Sequence, residues 1–249
     1  MADYDLNTDA YLSTIAQADE QDDLDIFATH TLFETIGDPV GKTVIDLCCG
    51  DGRLTWKLLE MGAKSVVGID ISGEMLKRAE AKRQLLPADE QKRVRFLQAD
   101  LRNSGLTLPP VDIVSGLYVF HYADTPEGVW GMGRFISRNL KADGHCALVT
   151  LSPDIDPEDD HSAAQAEAGI LIDYRDEPKC RFQIGDFSCP IWRWDRAVLE
   201  RELGMAGLCD LAWTGMDLPD SRPDLQARFA EWRQNPQCVV FSARRARPI

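Results

Sequence analysis

The 249-residue chain has no apolar run of about 18 residues and no signal-peptide pattern. A membrane-spanning helix or an export signal requires such features. The sequence therefore predicts a cytoplasmic protein with no membrane partner. Its seven cysteines are an odd number and include no C-x-x-C pair. Neither a disulfide framework nor a zinc ribbon is indicated, and we expect no metal site.

Basic residues are scarce. Lys and Arg number 27 against 41 Asp and Glu, which gives a net charge of −14. No Lys or Arg precedes Lys42, and a second acidic stretch covers residues 154–177. An acidic surface repels phosphate backbones, so nucleic acid is not the expected partner. The two acidic stretches are either solvated faces or a rim that attracts a cationic substrate.

Short apolar runs alternate with helical periodicity through the first 151 residues, and this alternation is typical of an α/β fold. The predicted strands are residues 43–47, 65–70, 94–99, 111–116, 145–151, 208–214 and 238–243. We expect a Rossmann-like, doubly wound, mostly parallel seven-stranded sheet. The last two strands are too close together for a long crossover, which predicts an antiparallel edge at the C-terminus.

Four segments follow from this pattern. Residues 1–38 predict an N-terminal helical cap, and residues 39–151 the ligand-binding core. Residues 152–193, which prolines interrupt, predict an insertion that serves as a lid. Residues 194–249 complete the core with a β-hairpin. In the lid, Tyr174, Phe182, Phe187 and Trp192 either stack on a flat or cationic ligand or form the lid's own small core.

The sequence TVIDLCCGDG, residues 43–52, is a short strand followed by a tight glycine turn. The next ten residues have helical periodicity. Glycines at positions 50 and 52 let a nucleotide-like ligand approach bare backbone above the carboxyl end of a parallel strand. An ordinary strand-to-helix turn is the alternative.

Three acids lie at the predicted strand ends. Asp46 ends the first strand, Asp70 the second and Asp100 the third. Asp70 follows Gly50 by 20 residues and suits two ribose hydroxyls. Asp100 and Leu101 could hold an adenine amino group and one ring face, with Ile71 and Met75 packing on the base. Each acid alone could be a helix cap or a solvated strand end.

A dinucleotide-binding dehydrogenase requires G-x-G-x-x-G, and this chain has GDGRLT, with Thr55 in place of the third glycine. Asp46, four residues before Gly50, distinguishes a dinucleotide site from a site for another nucleotide-like ligand. A carboxylate beneath the turn suits a ligand with an ammonium group and no pyrophosphate there, as in S-adenosylmethionine.

Five stretches together resemble the class I S-adenosylmethionine-dependent methyltransferases of small molecules. They are VIDLCCGDG, VVGIDIS, FLQADL, PPVDIVSGLYVFHY and the opening YDLNTDAY, in which Thr8 replaces the usual alanine. The later half, with WRWDRAVLERELGMAGL, resembles toxoflavin-type N-methyltransferases of bacterial secondary metabolism. The resemblance implies methyl transfer from S-adenosylmethionine to a small molecule by a monomer or homodimer.

The resemblance also implies roles for individual positions. Asp46, Cys48, Gly50 and Gly52 would line the methionine and ribose portion, and Cys48 stands where the family often has its first glycine. Asp70 would hold the ribose, Ile71 and Met75 would flank the adenine, and Asp100 with Leu101 would hold its edge. Leu117 would lie under the sulfonium, and Tyr11 would close over the methionine carboxylate.

A histidine follows the fourth strand, flanked by tyrosines. His121 is the candidate base or substrate anchor, with Tyr118 beside it, because an unperturbed imidazole pKa near 6.5 suits proton transfer at neutral pH. A hydrogen-bonded structural histidine is the alternative. Three other functions stay open for the whole chain: an enzyme that cyclises or cleaves S-adenosylmethionine, a nonenzymatic binding module, and a dehydrogenase.

Overall fold

The computed structural model of the chain describes Asp5, residues 23–234 and residues 236–246. Within the predicted N-terminal cap, helix α1 covers Asp23–Ile36. Tyr11, the residue predicted to close over the ligand, lies outside the described residues. Among the described residues, no helix has the length and apolar character needed to cross a membrane.

A seven-stranded sheet forms the centre of the fold. Numbered in chain order, its strands are β1 Thr43–Leu47, β2 Ser65–Asp70, β3 Val94–Gln98, β4 Val111–Gly116, β5 Leu140–Leu151, β9 Leu208–Gly215 and β10 Cys238–Arg245. Their spatial order is β3-β2-β1-β4-β5-β10-β9. Strands β1 to β5 are parallel, and β10 is antiparallel to both of its neighbours. The predicted α/β fold with an antiparallel C-terminal edge is confirmed.

Helices connect the strands. They are α2 Arg53–Glu60, α3 Gly73–Gln84, α4 Ala88–Gln91, α5 Pro126–Asn139, α6 Ser162–Ala168, α7 Arg196–Met205, α8 Pro223–Arg228 and α9 Ala230–Gln234, with a 3-10 turn at Phe120–Tyr122. Helix α3 begins where the Ser72 hydroxyl accepts the Met75 backbone N–H, and Thr125 caps α5 in the same way. Helix α3 ends before Pro87, and a short helix, α4, begins directly after this proline.

The parallel strands bury side chains on both faces. Val44, Val66 and Ile113 contribute to the core on the face that α2 covers. Ile45 and Val114 contribute to the core on the opposite face, beneath α5. By alternation Asp46 belongs to the α2 face, where an apolar side chain would be expected, and it is 0% exposed. A buried carboxylate in a hydrophobic position marks a functional site.

The predicted lid segment contains a separate three-stranded sheet. Its strands are β6 Leu171–Asp173, β7 Lys179–Ile184 and β8 Phe187–Trp192, in the order β6-β7-β8. Antiparallel pairing joins them. Pro190 is compatible with β8 because this strand lies at an edge of the sheet.

The lid sheet encloses its own hydrophobic core, and two of the aromatic residues take the second of their two predicted roles, as part of that core. Tyr174 is 7% exposed and its hydroxyl donates to Gln237 Oε1 at 2.6 Å. Phe187 is fully buried in the same cluster. Neither ring is available to stack on a ligand in this arrangement. Trp192, at the end of β8, stays half-buried and remains a candidate.

Candidate active site

The candidate site lies beyond the carboxyl ends of β1, β2 and β4. From β1 the chain adds β2 and β3 on one side, and β4 and β5 on the other. The sheet order therefore reverses between β1 and β4, and ligands bind at such a switch point in open α/β sheets. Register brings the strand ends together, since Leu47 pairs with both Ile69 and Gly116.

The turn after β1 uses left-handed backbone at three positions: Cys48 (φ 54°), Gly50 (φ 53°) and Gly52 (φ 91°). A Cβ at Gly50 would lie 3.1 Å from Met75 Cε, and one at Gly52 would lie 2.9 Å from Trp56 Nε1. The left-handed backbone favours glycine at both positions, and at Gly52 the Trp56 ring also leaves little space for a side chain.

Cys48 carries a side chain in a conformation that costs a non-glycine residue about 1–2 kcal/mol. Burial first, and then the nearby carboxylates of Asp70 and Asp46, raise the pKa of its thiol well above the ordinary value. The thiol therefore stays protonated at neutral pH and is not a nucleophile.

Asp70 joins this turn to α3. Its Oδ2 accepts the Gly50 N–H at 2.8 Å, and its Oδ1 accepts the Ser72 N–H at 2.8 Å. Burial raises the pKa of Asp70, while these backbone hydrogen bonds lower it. A carboxylate has about four acceptor positions. Two remain after the backbone bonds, enough for a pair of hydroxyl groups.

Asp46 lies beneath the turn with one oxygen occupied. Its Oδ2 accepts the Thr55 hydroxyl at 2.5 Å. Its Oδ1 has no hydrogen-bond partner among the described residues, and neither has Oγ of Ser115, which pairs with Asp46 across β1 and β4. Burial raises the pKa of Asp46 to about 7. A buried, unsatisfied carboxylate oxygen is the complement of a cationic donor.

The residues predicted to contact the adenine differ in their exposure. Ile71 is 41% exposed, whereas Met75 and Leu101 are each 5% exposed. Leu101 belongs to the core beneath α5, so its side chain is structural. Asp100 lies two residues beyond β3, and its carboxylate is held by the guanidinium of Arg102. Leu117, directly after β4, is half-buried.

The turn after β4 carries the candidate catalytic residues. Tyr118 has left-handed backbone (φ 61°) and is 38% exposed. His121 is 7% exposed, lies against Tyr122 with ring centroids 4.5 Å apart, and has no partner for Nδ1 among the described residues. Burial lowers the pKa of His121 to about 3.

The expected imidazole pKa near 6.5 is therefore wrong for His121. A group with a pKa of about 3 is neutral at physiological pH and accepts protons poorly there. The low pKa argues against proton transfer at neutral pH and leaves the two other predicted roles, a substrate anchor or a structural histidine.

Sequence reasoning missed three contributors. Thr55 stands where the dinucleotide fingerprint has its third glycine, and its hydroxyl donates a hydrogen bond to Asp46. Arg102 holds Asp100, and the D-x-R spacing was the available signal. Asp5, in the opening YDLNTDAY, accepts the Ser72 hydroxyl at 2.6 Å, beside the start of α3. Among the described residues, no group of three or more His, Cys, Asp or Glu is arranged to hold a metal ion.

Residues 44–144, which carry the glycine turn and the acids at the strand ends, match the family described as "Methyltransferase domain". This segment is a methyltransferase domain. The match confirms the resemblance drawn from VIDLCCGDG and the motifs that follow it. It does not specify the molecule that is methylated.

Curated relatives match only part of this chain. An uncharacterised methyltransferase of Geobacillus thermodenitrificans is 32% identical over 120 residues, which are 48% of this chain and 52% of the relative. A tRNA U34 carboxymethyltransferase of Idiomarina loihiensis is 32% identical over 91 residues, 36% of this chain and 28% of the relative. The chain spans about half the length of the first relative and less of the second.

A solved structure shows that the likeness in fold extends beyond the domain. The S-adenosylmethionine-dependent methyltransferase from Mesorhizobium loti superposes with a TM-score of 0.65 at 21% identity, over 89% of this chain and 100% of that chain. With the observed strand order, this likeness supports the class I fold for the methyltransferase domain.

Proposed function

We propose that the chain is an S-adenosylmethionine-dependent methyltransferase that methylates a nitrogen or oxygen atom of a small molecule. The observation that carries the proposal is the buried Asp46 carboxylate, whose free oxygen lies beneath a glycine turn that Asp70 fastens to α3. This arrangement is complementary to an ammonium group and to ribose hydroxyls, and the carboxylate beneath the turn would repel a pyrophosphate. A role in bacterial secondary metabolism rests on the resemblance of the later half.

The residues of the site fit the cofactor. Asp46 Oδ1 supplies an acceptor for the amino group, and Asp70 keeps two acceptor positions for the ribose hydroxyls. Ile71 is 41% exposed and would offer an apolar surface to the adenine, and Asp100 would hold the edge of the base. When bound, S-adenosylmethionine supplies a methyl group on a positively charged sulfur with a neutral leaving group.

The chain's own contribution is alignment and the exclusion of water. Trp194, just beyond the lid, donates its indole N–H to the Ala123 carbonyl at 2.9 Å, at the end of the turn that carries Tyr118 and His121. This bond connects the lid segment to the acceptor side of the site. Aligning two reactants can supply on the order of 7–11 kcal/mol of a barrier.

The acidic chain favours a small acceptor over nucleic acid, because its net charge of −14 opposes a polyanion. The relative that acts on tRNA shares only 28% of its length with this chain. A flat nitrogen heterocycle or a phenol suits the aromatic residues Tyr118, Tyr122 and Trp192, which are all at least partly exposed.

Mass spectrometry of the purified protein with S-adenosylmethionine tests the proposal. Incubated alone, the cofactor should persist. With a panel of nitrogen heterocycles and phenols, S-adenosylhomocysteine and one methylated acceptor should appear together. Steady release of methylthioadenosine without an acceptor would contradict methyl transfer and favour an enzyme that cleaves or cyclises its cofactor.

The pKa of Asp46 predicts how binding depends on pH. Because burial raises this pKa to about 7, lowering the pH through 7 protonates the carboxylate and removes the charge that attracts the ligand ammonium. We expect the affinity for S-adenosylhomocysteine to fall by up to about tenfold per pH unit between pH 7 and 5. Calorimetric titrations at a series of pH values measure this.

Asp46→Asn should remove most of this dependence, because the amide does not titrate. Asp51→Asn is the matched control: Asp51 lies in the same turn, but its carboxylate accepts from Lys82 Nζ at 2.5 Å. That variant should keep the wild-type pH profile. A profile that survives Asp46→Asn unchanged would assign the titration to another group.

A further inference from the structure

We propose that Arg102 is a positioning residue of the cofactor site, which orients Asp100 so that the site selects an adenine amino group over a carbonyl group. The inference rests on the proposed function, since it assumes that a nucleoside binds at the ends of β2 and β3. It adds to that function the residue that sets the base specificity.

The bonds between Arg102 and Asp100 leave Oδ2 as the less occupied oxygen. Asp100 Oδ1 accepts the Arg102 backbone N–H at 3.0 Å and Nε–H at 2.9 Å. Oδ2 accepts Nη2–H at 2.8 Å and a longer, shared contact from Nε–H at 3.2 Å. Three N–H groups therefore make four contacts with about four acceptor positions. Because its second contact is the longer, shared one, Oδ2 is the oxygen that can accept one more N–H group, and it repels a carbonyl oxygen.

Helix α5 holds the backbone of Arg102 in place. A Cβ at Gly131 would lie 1.7 Å from the Arg102 carbonyl oxygen, and one at Gly128 would lie 3.6 Å from Arg102 Cδ. Gly131 therefore leaves the space that the Arg102 carbonyl occupies, whereas 3.6 Å at Gly128 is an ordinary van der Waals contact. The position of Arg102 is therefore fixed by tertiary packing as well as by its pairing with Asp100.

A second carboxylate holds the far side of the guanidinium. Arg102 Nη1 lies 3.2 Å from Asp124 Oδ1. Asp124 follows Ala123, whose carbonyl accepts the Trp194 indole N–H. Arg102 thus lies between the proposed adenine edge of the site and the turn that carries Tyr118 and His121. Its two ion pairs, with Asp100 and Asp124, limit the rotation of its side chain.

A second Asp-x-Arg pair, Asp173 and Arg175 in the lid, allows a comparison with Asp100 and Arg102. In the lid, Arg175 Nε donates to Asp173 Oδ1 at 2.8 Å and its backbone N–H donates to the same oxygen at 3.1 Å. The Arg175 side chain is 86% exposed, whereas that of Arg102 is 32% exposed. The D-x-R pairing therefore also forms on an exposed surface. At Arg102, the packing against α5 and the ion pair with Asp124 additionally fix the orientation of the side chain.

The experiment compares two ligands that differ only at the base. S-Adenosylhomocysteine presents an amino group to Asp100, and S-inosylhomocysteine presents a carbonyl oxygen. We expect wild-type protein to bind the first at least about tenfold more tightly, because one charge-assisted hydrogen bond is replaced by repulsion. Arg102→Gln should reduce the ratio to within about threefold. A general loss of structure would weaken both ligands alike and leave the ratio unchanged.

Two further variants complete the test. Arg175→Gln removes the matching pair in the lid and should keep the wild-type ratio. Arg102→Lys keeps the positive charge but lacks the parallel N–H donors of the guanidinium. It should also lower the ratio, because a single ammonium group does not fix the orientation of the carboxylate. Circular dichroism and melting temperature verify that each variant is folded.

The outcomes separate this inference from the function on which it rests. Wild-type protein that binds neither ligand contradicts the proposed function and removes the basis of the inference. Wild-type protein that binds both equally contradicts the role of Asp100. If Arg102→Gln leaves the ratio of the two affinities unchanged, the role of Arg102 is overturned. If Arg102→Gln increases the ratio, the role is also overturned, and the guanidinium is shown to compete with the base for Asp100.

Discussion

Asp70→Ala is expected to lower the affinity for S-adenosylhomocysteine by about a hundredfold or more. The carboxylate would make two charge-assisted hydrogen bonds to the ribose, each worth about 1.5–3 kcal/mol. It also fixes the turn, because it accepts the backbone N–H groups of Gly50 and Ser72. Isothermal titration calorimetry of the variant against wild type measures the loss.

Asp70→Asn removes the charge and one acceptor while keeping nearly the same volume. Its NH2 group would face the backbone N–H of Gly50 or of Ser72, so one bond of the turn is lost together with the charge, and we expect binding to fall by at least about tenfold. Asp51→Asn, in the same turn but paired with Lys82, should stay within about threefold of wild type. An Asp70→Ala protein that is folded and binds normally would show that the ribose is held elsewhere.

Gly131→Ala is expected to destabilise the protein by about 3 kcal/mol, although the same change stabilises most helices. In α5 the added Cβ would lie 1.7 Å from the Arg102 carbonyl, a backbone atom that no side-chain rotation can move. Overpacking of this kind costs about 1–3 kcal/mol and occasionally more. Chemical denaturation gives the free energy of unfolding.

Gly204→Ala is the control for that prediction. Gly204 lies in helix α7, and a Cβ there has nothing within 4 Å. The substitution should stabilise the protein by about 0.5–1 kcal/mol, because alanine loses less backbone entropy on folding. Equal effects of the two substitutions would mean that α5 and Arg102 are not in the close contact described.

The sequence was sufficient for the parts of the fold that local pattern determines. Strand β1 is bounded as the apolar run 43–47 predicts, and Asp46 is recognisable because a carboxylate interrupts that run. The glycine turn follows from residue type, since left-handed backbone at positions 50 and 52 favours glycine. These features depend on neighbours in the chain.

Features set by distant contacts were not predictable. The pKa of His121 falls because the surrounding fold buries the ring, which no spacing reveals. Tyr174 is drawn into the lid core by Gln237, 63 residues away. Arg102 has the same D-x-R spacing as Arg175, and only the packing of α5 distinguishes them. No strand was predicted over β8, whose sequence contains Pro190.

The central claim is that the turn of residues 48–52 and the acids around it form a site for S-adenosylmethionine. Calorimetric titration of the wild-type protein with S-adenosylhomocysteine, and separately with NAD, tests it most directly. The account predicts saturable binding of one S-adenosylhomocysteine per chain and no binding of NAD. Binding of NAD without binding of S-adenosylhomocysteine would contradict the account and identify the turn as a dinucleotide site.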